Sequence, residues 1–182
     1  AGTAALALFV APLAACGSTS DAPSGSSSAV TGDITVFAAA SLKEAFTTIG
    51  EQFEAANPGT SVTFSFGPSS GLATQIIEKA PADVFASASQ KTMDTVVDAG
   101  LAPGSAVFAV NSLAIATPTD PSVPVASLAD LADPAVKVAV CAADVPCGTA
   151  ADTLFSSNNL IVAPVTREVD VKAVLSKVQL GE

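Results

Sequence analysis

The chain has 182 residues, with seven Lys or Arg against seventeen Asp or Glu and a formal charge of −10. That acidity argues against nucleic acid or an anionic membrane surface as partner. Histidine is absent from the sequence, so these residues complete no His-dependent triad and few zinc sites; the length suits one or two compact domains.

A mostly apolar segment from Ala4 ends in Leu13-Ala14-Ala15-Cys16 and gives way to Gly17-Ser18-Thr19-Ser20. It resembles a bacterial lipoprotein signal peptide, in which the cysteine is lipidated and becomes the mature N-terminus. A plain secretory leader and a free thiol in a linker are the alternatives. No initiator Met or basic stretch precedes the run, so the chain reads as clipped at its start. Residues 1–16 are assigned to the leader and 17–32, rich in Ser, Gly, Thr and Ala, to a flexible tether. Export places Cys141 and Cys147 in an oxidising compartment, where a close pair reads as a disulfide rather than a metal site.

Ile34-Thr35-Val36-Phe37 reads as a strand, central in a parallel sheet because both of its faces are apolar. Leu42, Ala45, Phe46, Ile49 and Phe53 follow at helical spacing. Ser41 and Glu44 have the spacing of a capping box, and Asn57-Pro58-Gly59 ends the helix. A second strand, 61–66, enters Gly67-Pro68-Ser69-Ser70-Gly71 and a helix carrying Leu72, Ile76 and Ile77. A short third strand, Asp83-Val84-Phe85-Ala86, precedes a helix with Met93, Val96 and Val97 that stops at Gly100. This alternation predicts βαβ units and a parallel sheet.

Residues 106–117 form a longer extended run, expected to leave one sheet and enter another, with a lobe boundary near Asn111. After a proline-stiffened loop, Ser127-Leu128-Ala129-Asp130-Leu131 reads as a short capped helix before Pro134. Val136, Val138 and Val140 mark a strand ending at Cys141; a helix follows Cys147-Gly148-Thr149. Residues 165–169 are extended, and Asp170 caps a helix with Val171, Val174, Leu175 and Val178. The expected fold is α/β in two lobes, 33–111 and 112–182, with parallel sheets flanked by helices and the second lobe incomplete at its C-terminus.

In an open parallel sheet, ligands sit beyond the carboxyl ends of the strands. The junctions at Ser41, Ser69, Cys147 and Val171 all lie at such ends. Helix N-termini offer unpaired N–H groups and a partial positive charge, so two from each lobe would surround a small anion with donors. Fixed dipoles of this kind need no opposing formal charge, which reconciles an anionic ligand with an acidic chain. Each residue also has a plainer role: Ser41 a cap, Ser69 a turn serine, Val171 an ordinary first helical residue, Cys147 a disulfide half.

At these residues the chain resembles the molybdate-binding proteins of bacterial ABC importers, with a type II periplasmic binding protein fold. The likeness spans 33–182 and rests on Thr35-Val36-Phe37-Ala38-Ala39-Ala40-Ser41-Leu42, Phe66 to Ile76, and the run from Pro81 to Ala88. Asn111-Ser112-Leu113, Val145-Pro146-Cys147-Gly148 and Asp170-Val171-Lys172 add to it. The resemblance implies ligand contacts from Ser41 and Ser69, with Ser70 a possible addition, and from the backbone at Cys147 and Val171. Any metal contact would run only through the oxyanion's oxygens. A tyrosine used by many members would lie beyond Glu182, which supports a missing C-terminus. The implied ligand is molybdate or tungstate with no further cofactor; the implied partners are a membrane permease with its ATPase, and the membrane through a lipid on Cys16. The protein would be an extracytoplasmic, cell-envelope monomer that does no chemistry on its ligand.

Three rivals remain. Gly67-Pro68-Ser69-Ser70-Gly71 matches G-x-S-x-G between a strand and a helix, as a serine hydrolase requires, though no HGGG-type loop accompanies it. The ligand could instead be sulfate, phosphate or another small anion. A lipid-tethered adhesion module would bind no anion at all.

Overall fold

The computed structural model describes residues 30–181. The leader, Cys16 and the tether up to residue 29 lie outside the described residues.

Two parallel sheets organise the chain. In the first, β1 (Gly32–Ala39) lies between β2 (Thr60–Gly67) and β3 (Val84–Ala86). In the second, β4 (Ala139–Cys141) pairs with β5 (Thr166–Glu168). The helices are α1 (Lys43–Ala56), α2 (Ser69–Ile77) and α3 (Gln90–Asp98) in the first unit, and α4 (Pro146–Ser157) and α5 (Val171–Leu180) in the second.

β1 is central because alternate side chains serve two cores. Val36 and Ala38 pack with Ala86, Leu42, Phe46 and Phe64, while Phe37 packs with Leu72, Ala73, Ile76 and Val96. Burial on both faces is what a continuous apolar strand requires. Asp83 fixes the start of β3, since its carboxylate accepts from the Thr35 N–H at 2.8 Å and its own N–H donates to the Thr35 carbonyl at 2.9 Å. Helix α3 ends as expected: Gly100 has φ +70°, its N–H donates to Val97 O, and Leu101 N–H donates to Val96 O, the paired bonds of a Schellman stop. In the second unit, Val138, Val140 and Phe155 form the core, with Leu128 and Leu131 packed against it. Ser127 and Asp130 form the capping box expected before the 3-10 turn Leu128–Ala132.

Three expectations are corrected. The capping box of Ser41 with Glu44 is not formed: β1 passes directly into a 3-10 turn, Ala40–Leu42, so Ser41 lies inside the turn rather than before it. Neither that turn nor α1 has a side-chain cap, and Glu44 pairs elsewhere. Second, Ile49 is 56% exposed and Phe53 36%. Helix α1 instead approaches β2 through Gly50, where a Cβ would lie 2.6 Å from the Phe64 ring. Third, residues 106–117 join no sheet; among the described residues no strand lies between β3 and β4.

The turn from β4 to α4 is closed tightly. Cys141 and Cys147 are joined by a disulfide with Cα atoms 5.7 Å apart, and the loop between them folds over Gly148. A Cβ on Gly148 would stand 1.8 Å from the Ala142 carbonyl oxygen, and backbone cannot yield as a flexible side chain can. Gly148→Ala is therefore expected to lower unfolding stability by about 1–3 kcal/mol, the usual range for overpacking, measured by urea denaturation. An unchanged midpoint would show that the loop relaxes freely.

Candidate functional site

The carboxyl ends of β1, β2, β4 and β5 each deliver the chain to a helix start. These starts meet around a cavity of ≈ 40 Å³ whose lining includes Ser41, Ser69, Cys147 and Val171. All four residues marked out in the sequence are thus brought together. Ser70 is not among the lining residues. Ala39, Ala40, Gly67, Pro68 and Ala88 complete the first unit's share, and the small alanines and glycine keep backbone close to the space.

Accounting for the first-turn N–H groups explains what the cavity offers, since helix starts leave such donors without intrahelical partners. In α5 the Asp170 carboxylate accepts from the N–H groups of Lys172 and Ala173 at 2.9 and 3.0 Å. Val171 N–H is left without an acceptor among the described residues. In α4, Pro146 occupies the first helical position and has no N–H, while Gly148 N–H donates to Val145 O at 3.0 Å; Cys147 N–H is left over. In α2, Pro68 precedes the helix and Leu72 N–H returns to Pro68 O. Ser69 N–H is likewise without an acceptor among the described residues. The starts of α4 and α5 thus retire their other donors and leave one each at the cavity wall, whereas α2 has no side-chain cap.

The two hydroxyls differ in setting. Ser69 is 2% exposed, and its Oγ accepts from Ala88 N–H at 3.0 Å. A hydroxyl that accepts in this way keeps its own proton to donate, and no protein acceptor for that proton occurs among the described residues. Ser41 is exposed at the mouth, and its failure to cap a helix leaves its Oγ equally uncommitted. Ser69 begins a regular helix and is not among the residues of positive φ, so the strained turn of a nucleophile elbow is absent there.

Among the described residues no Lys or Arg lines the cavity, and the one charged lining residue is Asp170, whose Oδ1 is held by two helix N–H groups. Immediately outside, Lys172 Nζ donates to Glu44 Oε1 at 2.6 Å, linking the first turns of α5 and α1. That hydrogen bond holds the Glu44 carboxyl below its usual range. A carboxyl depressed in the folded state contributes stability above its unfolded pKa, lost as pH falls through the folded one; the pair is therefore intact at neutral pH. Sequence reasoning missed this pair. The available signal was a lysine in the first turn of a helix, where a cation is disfavoured unless something compensates.

A larger space of ≈ 720 Å³ lies within the second unit. Its walls are mainly apolar, among them Leu131, Val138, Phe155 and Val174, although Lys137 also lines it and Cys147 and Val171 are shared with the smaller cavity; apolar surface returns nothing to an anion for the water it loses. The smaller cavity is the candidate site. At 40 Å³ it has room for a few water molecules or one small polyatomic ion, far short of the roughly 300–1,000 Å³ typical of organic ligands. Among the described residues no cluster of His, Cys, Asp or Glu is arranged to hold a metal ion, and no helix is long and apolar enough to cross a membrane.

Comparison with known proteins agrees with this geometry. The sequence profile of the family described as bacterial extracellular solute-binding protein matches residues 34–181. The molybdate-binding protein ModA of Mycobacterium tuberculosis is 46% identical over 179 residues, covering 97% of this chain and 68% of that protein. ModA of Escherichia coli is 52% identical over 77 residues, 42% of this chain and 30% of that protein. Among solved structures, the periplasmic molybdate-binding protein of Azotobacter vinelandii aligns with a TM-score of 0.55 and 20% identity, over 81% of this chain and 67% of that one. The profile match over residues 34–181 and the 46% identity across nearly the whole chain show that this chain belongs to the bacterial extracellular solute-binding protein family.

Proposed function

We propose that the protein is the molybdate-binding component of an ABC importer, capturing the tetrahedral oxyanion outside the cytoplasm and passing it to a membrane permease served by an ATPase. The observation that carries this reading is the convergence of leftover backbone donors and two hydroxyls on one cavity of ≈ 40 Å³ without a lining cation. The names of the curated relatives supply the choice of molybdate among small anions. Ser41 and Ser69 donate through their hydroxyls and Cys147 and Val171 through their N–H groups; Ser70, which does not line the cavity, is not assigned a contact.

Burying a dianion is costly unless each oxygen is hydrogen-bonded, and preorganised N–H groups at helix starts meet that need. The four proposed contacts are all donors, which favours a fully deprotonated oxyanion over phosphate, a substantial part of which carries a proton at neutral pH. Tungstate, with the same shape and charge, is accepted as molybdate is. The lobes 33–111 and 112–182 open and close about a hinge near Asn111, and release leaves the anion chemically unchanged, with no catalysis. Lipidation of Cys16 tethers the monomer to the cell envelope.

Isothermal titration calorimetry with molybdate, tungstate, sulfate and phosphate tests the reading. Saturable heat is expected with the first two; heat with sulfate and none with molybdate would contradict it. Ser41→Ala and Ser69→Ala are each expected to weaken molybdate binding by about 1.5–3 kcal/mol, the range for hydrogen bonds to charged groups, and unchanged affinity would remove that serine from the site. Val171→Pro is a more selective probe. Proline is tolerated at the first helical position, and Asp170, at φ −160° and ψ 176°, already has the extended backbone that a residue before proline requires. The variant should keep its thermal stability while losing affinity by a similar amount; full affinity would exclude the Val171 N–H as a donor.

A further inference from the structure

The salt bridge between Glu44 and Lys172 joins residues 128 positions apart and links the two units at the mouth of the cavity. Glu44 is one helical turn beyond Ser41, and Lys172 directly follows Val171. Helix α5 also packs on the 3-10 turn Ala40–Leu42. We infer that Glu44 and Lys172 form a cross-cleft latch that holds the closed form and sets how long the anion stays, although neither residue lines the cavity. This inference rests on the binding function proposed above.

The placement of the charges supports a role in closure. A carboxylate is favoured at a helix N-terminus and a cation is disfavoured there. Glu44 in the first turn of α1 is well placed whether or not the units touch. Lys172 in the first turn of α5 is well placed only while Glu44 reaches it, so opening returns an uncompensated ammonium to the positive end of a helix. The other charged groups close in sequence do not replace the pair. Lys43 repels Lys172 and adds to the field on Glu44, while the Asp170 Oδ1 is held by the N–H groups of Lys172 and Ala173. The latch bonds also sit beside two of the proposed donors, so locking them fixes the span between Ser41 on one side and Val171 on the other.

Exposed pairs contribute little, and these side chains are 39% and 69% exposed. The expected effect is correspondingly modest and falls on dissociation, because the bridge exists only once the cleft has closed. Glu44→Gln and Lys172→Gln should each raise the molybdate off-rate about three- to fivefold, the scale of a single exposed pair, and leave the on-rate nearly unchanged. The double neutral variant should be no worse than either single one. The charge-swapped pair Glu44→Lys with Lys172→Glu should recover most of the residence time.

Hydrogen exchange of the anion-free protein, which samples the closed form in which the bridge is made, gives a readout independent of the ligand. Peptides spanning 40–46 and 170–175 should exchange faster in either neutral variant than in wild type, and the swap should restore protection. Unchanged off-rates with unchanged exchange, additive losses in the double variant, or a swap that recovers neither quantity would each overturn the latch. A wild-type protein that binds no molybdate would instead overturn the functional reading, and the exchange comparison would then decide the latch alone.

Discussion

The arrangement depends on a property of every helix: its first N–H groups have no partners within the helix. At most helix starts, water or a capping side chain absorbs them. Here the sequence retires them selectively. Asp170 takes two, Pro146 deletes one, Gly148 turns one back to Val145, and a single N–H remains at Val171 and at Cys147. The proposed site is a set of such remainders, supported by two hydroxyls with protons left to donate.

Everything else in the fold serves to aim those remainders at one another. Parallel strands put successive helix starts on the same edge of a sheet, and β1 reaches that edge on a run of small residues, Ala38 to Ala40, that lets the backbone itself form the wall. The disulfide between Cys141 and Cys147 and the closely covered Gly148 hold the donor of α4 in a loop with little freedom to drift. Because the donors are neutral, the acidic surface of the chain need not be reversed locally. Lys172, which directly follows the lining residue Val171, is paired with the Glu44 carboxylate.

Much of this was legible in the sequence, for physical reasons that differ by element. The apolar run at 34–37 announced a central parallel strand because both faces had to be buried. Asp170 announced a cap because a carboxylate before an amphipathic run has few other uses. Ser41 misled, since the Ser-x-x-Glu spacing holds whether or not the serine precedes the helix, and only backbone dihedrals reveal that the 3-10 turn starts one residue earlier. Residues 106–117 misled for a different reason: β-branched composition favours extended backbone but cannot name a partner strand. The bond from Ala88 N–H to Ser69 Oγ and the bridge from Glu44 to Lys172 depend on chain segments 19 and 128 residues apart, so no local pattern could have exposed them.

The central claim, that a dianion is held by uncharged donors from four helix starts, is tested most directly by anomalous diffraction at the molybdenum edge from crystals grown with molybdate. One strong peak is expected within hydrogen-bonding reach, through its oxygens, of Ser41 Oγ, Ser69 Oγ, Cys147 N and Val171 N. A peak in the larger apolar space, one seated on a lysine or arginine, or no ordered peak at all would contradict it.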